Sequence, residues 1–274
     1  MKADTFHQKN GLHGLHWPAP SPKAVVCIVH GLGEHVGRYA HVAAFFTKKN
    51  MAVMGLDLPG FGRSPGKRGH VPGFGAFMDA IAGLIAQAGE WYPGVPVFLY
   101  GQSMGGNLVL NFLIKYPDAL AGCIASSPWI RLATKPSPLR VALAKMTKSI
   151  LPALAQPNGL DIRELATDPA VAEAYRTDPL THDRITTATG LALLDAADFL
   201  DHFDGDVPAP LLLLHGSADR LTDPAGTIAF AERAKGNVTL NIWDGMKHEL
   251  HNEPILEEVL AYIFGWVSGV LSGE

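Results

Sequence analysis

Val95-Pro96-Val97-Phe98-Leu99-Tyr100-Gly101-Gln102-Ser103-Met104-Gly105 is the stretch that decides the fold of this 274-residue chain. The apolar run 95–100 reads as a buried strand that stops abruptly at a serine, and a helical pattern follows from near Gly106. Glycines two positions to either side of Ser103 let the backbone bend without a Cβ clash. A serine on such a turn is lifted clear of the sheet, and the next helix aims its N-terminal N–H groups at charge developing beside it. An ordinary Gly-rich turn with a surface serine would use the same residue types. The position between strand and helix is what argues for a nucleophile.

Two more apolar strands supply partners. The run 210–216 ends in Ser217-Ala218-Asp219-Arg220, and the run 238–243 ends in Asp244-Gly245-Met246-Lys247-His248. The chain order is thus Ser103, Asp219, His248, each just past a strand. That is the order of the α/β-hydrolase architecture and of no other common serine-hydrolase fold. In a parallel sheet the loops after the strands open on one edge, so the three can converge. We expect Ser103 as nucleophile, His248 as base and then acid, and Asp219 as the group that orients the imidazole. Asp223 and Asp244 are rival acids. Asp223 precedes Pro224 and reads as a helix N-cap, while Asp244 lies close to His248 in sequence. An oxyanion hole needs two backbone donors. The expected ones are Met104 N–H and, in the loop His30-Gly31-Leu32-Gly33-Glu34-His35 after the strand 24–29, Leu32 N–H.

The rest of the chain alternates strand and helix. A hairpin covers about 3–17 around Asn10-Gly11. Helices are expected near 38–50 and 74–91 and after Ser103 to about 116, and strands at 24–29, 51–56 and 121–126. This predicts a mainly parallel sheet flanked by helices. The rhythm breaks between Pro128 and Pro208, a span much longer than a crossover needs. We therefore expect residues 1–128 and 209–274 to form an α/β-hydrolase core and 129–208 an inserted helical cap over the strand ends. Leu139, Val141, Leu143, Ile150, Leu151 and Leu154 are candidates for the cap's own core or for a substrate channel.

Composition narrows the function. The formal net charge is −4, charged residues are 18% of the chain, and no long basic run occurs, so nucleic acid is not an expected partner. Cys27 and Cys123 fall in predicted strands and read as small buried hydrophobes. No cysteine pair or ligand cluster suggests a metal, and no other cofactor is implied. His7, His13 and His16 lie in the alternating hairpin and read as a solvated strand face. The first residues lack the apolar core of a signal peptide, and the apolar stretch 259–271 is too short to span a bilayer, so a cytoplasmic enzyme is expected.

Four stretches together resemble a known group: His30-Gly31-Leu32-Gly33-Glu34-His35-Val36-Gly37-Arg38-Tyr39, Gly101-Gln102-Ser103-Met104-Gly105-Gly106, His215-Gly216-Ser217-Ala218-Asp219-Arg220 and His248-Glu249-Leu250-His251-Asn252-Glu253. They are similar to the monoacylglycerol lipase and lysophospholipase-like family of α/β-hydrolases, as are Asp168-Pro169 and the run 175–180. The resemblance implies the same triad and the same oxyanion donors. It also implies a polar pocket for a glycerol head near Glu34, Arg38 and His251, a lipid-like ester as substrate, and transient contact with a membrane or micelle through the cap. Lysophospholipase or broad carboxylesterase activity, and a non-catalytic receptor on the same scaffold, are the alternatives. One departure is Gln102, where the family usually has His. In such an elbow its side chain is expected to point away from the chemistry. Another is Leu58-Pro59-Gly60-Phe61-Gly62, which resembles the general α/β-hydrolase turn more than the lipase version.

Overall fold

The computed structural model describes residues 3–116, 120–148 and 150–273. Its centre is an eight-stranded sheet of order β1-β2-β4-β3-β5-β6-β9-β10. The strands are β1 (Asp4–His7), β2 (His13–Trp17), β3 (Val25–Val29), β4 (Ala52–Leu56), β5 (Val97–Gln102), β6 (Gly122–Ser126), β9 (Leu211–Gly216) and β10 (Val238–Trp243). β1 and β2 form the expected hairpin, and β2 pairs antiparallel with β4. Every other pairing is parallel.

The central strands are apolar on both faces because helices cover both. Val25, Cys27 and Val29 of β3 join one core cluster, and Val26 and Ile28 the other. The first cluster takes Phe77 and Leu84 of α2 (Gly75–Trp91), Leu108 and Phe112 of α3 (Met104–Lys115) and Phe230 of α7 (Pro224–Arg233). The second takes Val42 and Phe46 of α1 (Ala40–Lys48) and Leu260 and Ile263 of α8 (Leu256–Ser272). Cys27 and Cys123 are buried and free, as expected of small hydrophobes, and burial pushes the Cys27 thiol up to about 12.

The segment between β6 and β9 adds no strand to this sheet. It holds α4 (Pro138–Lys148), β7 (Ala155–Pro157), α5 (Pro169–Thr177), β8 (Arg184–Thr186) and α6 (Thr187–Asp201). Two details differ from the sequence expectation. β7 and β8 pair as a small antiparallel ribbon, so the segment is not wholly helical. Leu193, Ala197 and Leu200 of α6 join the first core cluster, so the last helix of 129–208 belongs to the helical layer of the core.

The hairpin histidines also differ from expectation. β2 lies inside the sheet, between β1 and β4, so its residues are covered. His13 is 5% exposed with Nδ1 3.1 Å from Asp57, and His16 Nε2 bonds Tyr92 Oη at 2.6 Å. Only His7 of the three is on a solvated face.

Candidate active site

Ser103 ends β5 with φ 58° and ψ −116°, a conformation a non-glycine residue holds only when its surroundings enforce it. Its N–H donates to Ser126 O at 3.0 Å, and its carbonyl accepts from Asn107 N–H and Trp129 N–H, both at 3.0 Å. A side chain on Gly105 would collide with the Val29 carbonyl, and one on Gly101 with the Gly105 carbonyl. These close approaches are what draw α3 against the sheet. They also start the helix at Met104, directly after the serine, where the sequence suggested Gly106. The Ser103 side chain does not cap α3, so the first N–H groups of the helix face the serine's surroundings.

Asp219 and His248 come together from the loops after β9 and β10. His248 Nδ1 lies 2.7 Å from Asp219 Oδ2, and both residues are buried. The other carboxylate oxygen accepts Leu221 N–H at 2.8 Å and Thr222 N–H at 3.1 Å. Two partners escaped the sequence reading. His215 Nε2 is 3.0 Å from Asp219 Oδ2, with its Nδ1 on Thr227 Oγ1 at 2.8 Å, and Thr222 Oγ1 donates to Asp219 Oδ2 at 2.8 Å. No local pattern marks these two, since His215 sits in a strand and Thr222 in a turn. The rival acids have other tasks. Asp223 caps α7 through Ala225 N–H, and Asp244 accepts from the Ser217 hydroxyl.

Burial raises the cost of an Asp219 charge, but His248 and His215 around it hold its carboxyl well below the usual range. Burial likewise disfavours a charged His248. The charge and hydrogen bond of Asp219, with Glu249 and Glu34 farther off, outweigh this and raise its pKa above the ordinary histidine value. Gln102 Nε2 donates to the His248 carbonyl at 2.9 Å, tying the elbow to the loop that carries His248. Among the described residues Ser103 Oγ forms no hydrogen bond with His248, a contact of the kind that tightens when substrate binds.

The loop 30–35 lies on the elbow, since a Cβ on Gly31 would sit 3.4 Å from Ser103 Cβ. His30 fixes the loop from inside. Its Nε2 accepts Leu58 N–H at 2.9 Å, which leaves Nδ1–H to donate to Gly31 O at 2.7 Å. Glu34 Oε1 accepts Gly31 N–H at 2.5 Å and the Tyr39 hydroxyl at 2.8 Å, while Glu34 Oε2 accepts from Arg38. Arg38 is bidentate to Glu249, both bonds at 2.7 Å. Leu32 and Met104, the two expected oxyanion donors, are thus the residue carried by this braced loop and the first residue of α3. Glu34, Arg38 and His251, the residues expected near a substrate head, have these surroundings. Glu34 and Arg38 spend their polar atoms on one another, on Glu249 and on the loop. His251 is fully buried, stacked on Tyr39 with ring centroids 4.8 Å apart, and burial lowers its pKa to about 4.

The insertion fastens to both catalytic loops. Tyr175 of α5 donates its hydroxyl to Leu32 O at 3.3 Å and carries Arg38 over its ring, 5.0 Å from the centroid. His182 N–H donates to Gly33 O at 2.9 Å, and His35 Nε2 meets Asp178 Oδ2 at 2.9 Å. Glu249 N–H donates to Leu165 O at 2.7 Å, and Glu253 Oε1 accepts from Thr167 N–H and Lys247 N–H, both at 3.0 Å. Beside this clamp lies a cavity of about 660 Å³, lined mainly by apolar side chains such as Trp129, Leu132, Val141, Leu154, Ile185 and Leu191. Trp129, one of its lining residues, donates its backbone N–H to the Ser103 carbonyl, while Ser103, Leu32, Asp219 and His248 themselves are not part of the cavity wall. No group of side chains suited to a metal ion occurs among the described residues, and no helix there is long and apolar enough to cross a membrane.

The family model described as Hydrolase_4, serine aminopeptidase S33, matches residues 20–255. An uncharacterised abhydrolase domain-containing protein of Dictyostelium discoideum is 36% identical over 91% of this chain, which spans only 27% of that longer protein. The monoacylglycerol lipase of Mycolicibacterium smegmatis is 34% identical over 91% of this chain and 90% of its own length. The crystal structure of the Paleococcus ferrophilus monoacylglycerol lipase is 35% identical, covers 96% of this chain and 99% of its own, and superposes with a TM-score of 0.87. The chain therefore belongs to the Hydrolase_4 family of α/β-hydrolases, and monoacylglycerol lipases are among its relatives.

Proposed function

We propose that this protein is a serine ester hydrolase that cleaves monoacylglycerols to a fatty acid and glycerol. Ser103 Oγ attacks the ester carbonyl while His248 Nε2 takes its proton and Asp219 stabilises the imidazolium. The N–H groups of Leu32 and Met104 receive the negative charge on the former carbonyl oxygen. As the tetrahedral species collapses, His248 returns the proton to the leaving alkoxide and glycerol departs. Water, deprotonated by His248, then attacks the acyl-enzyme, and the same groups release the acid. The family resemblance of the sequence supports these assignments.

The observation that carries the ester reading is the buried Asp219–His248 pair, whose loop is bonded by Gln102 to the strained turn that holds Ser103. An aminopeptidase would need a free carboxylate to hold its substrate's ammonium group. Glu34 and Glu249 are both bonded to Arg38, and among the described residues no carboxylate lines the cavity. The insertion acts as a cap, and its outward apolar side chains on α4, Leu139 at 78% and Met146 at 72% exposed, meet the lipid surface that delivers substrate.

A panel of one acyl length tests this reading: a 1-monoacylglycerol, a diacylglycerol, a lysophosphatidylcholine and an aminoacyl p-nitroanilide. The monoacylglycerol is expected to show the highest kcat/KM by at least about tenfold. A higher value for the lysophospholipid or the anilide contradicts it.

A further inference from the structure

Gln102 is the last residue of β5 and is 1% exposed. It touches each part of the catalytic centre. Its peptide bond leads into Ser103, which holds φ 58°. Its backbone carbonyl lies 3.5 Å from where a Cβ on Gly31 would be, against the loop that carries Leu32. Its side-chain Nε2 donates to the His248 carbonyl at 2.9 Å. The strand beneath is held in turn by β6, where Gln102 stands opposite Ser126, whose carbonyl accepts the Ser103 N–H.

The loop that carries His248 is fastened on both sides of the histidine. Ala218 N–H donates to Met246 O at 2.9 Å, Lys247 N–H to Glu253 Oε1 at 3.0 Å, and Glu249 N–H to Leu165 O at 2.7 Å. At His248 itself the ring is held at Nδ1 by Asp219 and the main chain is held at its carbonyl by Gln102. A ring held at one atom can pivot about it. Fixing the carbonyl sets the Cα from which the ring hangs, and so the place of Nε2. The amide has one orientation there, because a flip would set Oε1 against the carbonyl oxygen. In that orientation Oε1 is buried with no hydrogen-bond partner among the described residues. An unpaired buried acceptor is unfavourable, and a methionine of similar length would not carry one. What glutamine adds at this position is the N–H on His248.

We propose that Gln102 is a positioning residue: its amide pins the His248 main chain to the strand that ends in Ser103, and so sets where the imidazole stands when it takes the serine's proton. This rests on the ester-hydrolase reading above, in which His248 is the base. Gln102 acts on the place of the ring, whereas Asp219 acts on its charge and tautomer.

The test uses Gln102→Met, which keeps the length and loses the donor, with Gln102→Ala if methionine is not accommodated, and Gln102→His, which keeps an N–H of similar reach. Turnover of a soluble short-chain ester is taken per active site, counted with an alkyl fluorophosphonate, so that loss of folded protein does not enter. The Met variant is expected to lose about tenfold in kcat, the size of effect a displacement of less than about 1 Å produces. Its KM should stay within about twofold, as for an interaction that serves the transition state. Its acid limb should stay within about 0.3 pH unit, since the Asp219 bond is untouched. The His variant should recover most of the loss. A per-site kcat that is unchanged while fewer sites titrate would make Gln102 a packing residue and overturn the proposal. Equal losses in the Met and His variants would also overturn it, because the donor would not be what matters. If wild type itself cleaves no ester, the ester-hydrolase reading fails first and this proposal falls with it.

Discussion

Two parts of the insertion are built on opposite terms. The part from residue 161 to 183 is committed inward. Leu165, Thr167, Tyr175, Asp178 and His182 each bond a residue of the loop after β3 or of the His248 loop. Among the described residues, α4 and the turn after it reach the core only through α6, to which Pro152 O and Leu154 O are bonded, and through Lys67. Leu139, Met146 and Ile150 stand 72–79% exposed, while Val141, Ala144 and Thr147 of the same helix line the cavity. One part holds catalytic backbone in register, where a displacement of about 1 Å can lower a rate about 100-fold. The other carries several exposed apolar side chains close together in sequence, Leu139, Leu143, Met146 and Ile150. A shared segment can thus divide into a brace and an exposed apolar wall.

Breaking the brace is expected to have the larger effect. Tyr175→Ala removes the hydroxyl from Leu32 O and the ring from under Arg38, and kcat should fall about 10- to 100-fold on every ester, soluble ones included. Steady-state kinetics on a short-chain soluble ester checks this. Unchanged turnover would mean that the clamp does not position the loop. The wall should respond differently. Leu139→Ser with Met146→Ser should lower hydrolysis of monoacylglycerol in vesicles about 3- to 10-fold and leave the soluble ester unaffected. Equal effects on both presentations would erase the contrast.

A smaller effect concerns protonation. His248 accepts a proton only when neutral, and its pKa is raised, chiefly by Asp219 against the opposing pull of burial. The acid limb of kcat/KM should therefore lie above about 6.5, the ordinary histidine value, and activity should be lost as pH falls through it. The stability term has the opposite sense: it is fully present below about 6.5 and is lost as pH rises through the folded-state pKa. His215 shares Asp219 Oδ2 with His248, and Glu249 and Glu34 are the other charges bearing on the ring. His215→Leu should strengthen the Asp219–His248 interaction and move the limb to higher pH. A limb that stays put or moves down would deny His215 this influence.

What could be read from the chain follows from the range of the forces involved. Ser103, Asp219 and His248 were readable because each lies just past an apolar strand, and a parallel sheet brings such positions to one edge. The ribbon of β7 and β8 was not. Ala155-Gln156-Pro157 has neither alternation nor length, and its partner Arg184–Thr186 lies on the far side of the clamped stretch. His13 looked solvated because the hairpin alternates; its burial depends on β2 joining β4, a contact some 40 residues away. Gln102 and Thr222 act across loops that no local pattern connects. Glu34 and Arg38 appeared in a recognisable motif, yet their task came from Glu249, a partner far along the chain.

The central claim is that Ser103 is the nucleophile activated by His248. Treating the protein with an alkyl fluorophosphonate and locating the adduct by peptide mass spectrometry tests it most directly. The account predicts one adduct per chain, on Ser103, with loss of esterase activity in step with labelling and no adduct in Ser103→Ala. Stoichiometric labelling of another residue, or full esterase activity in Ser103→Ala, would contradict it.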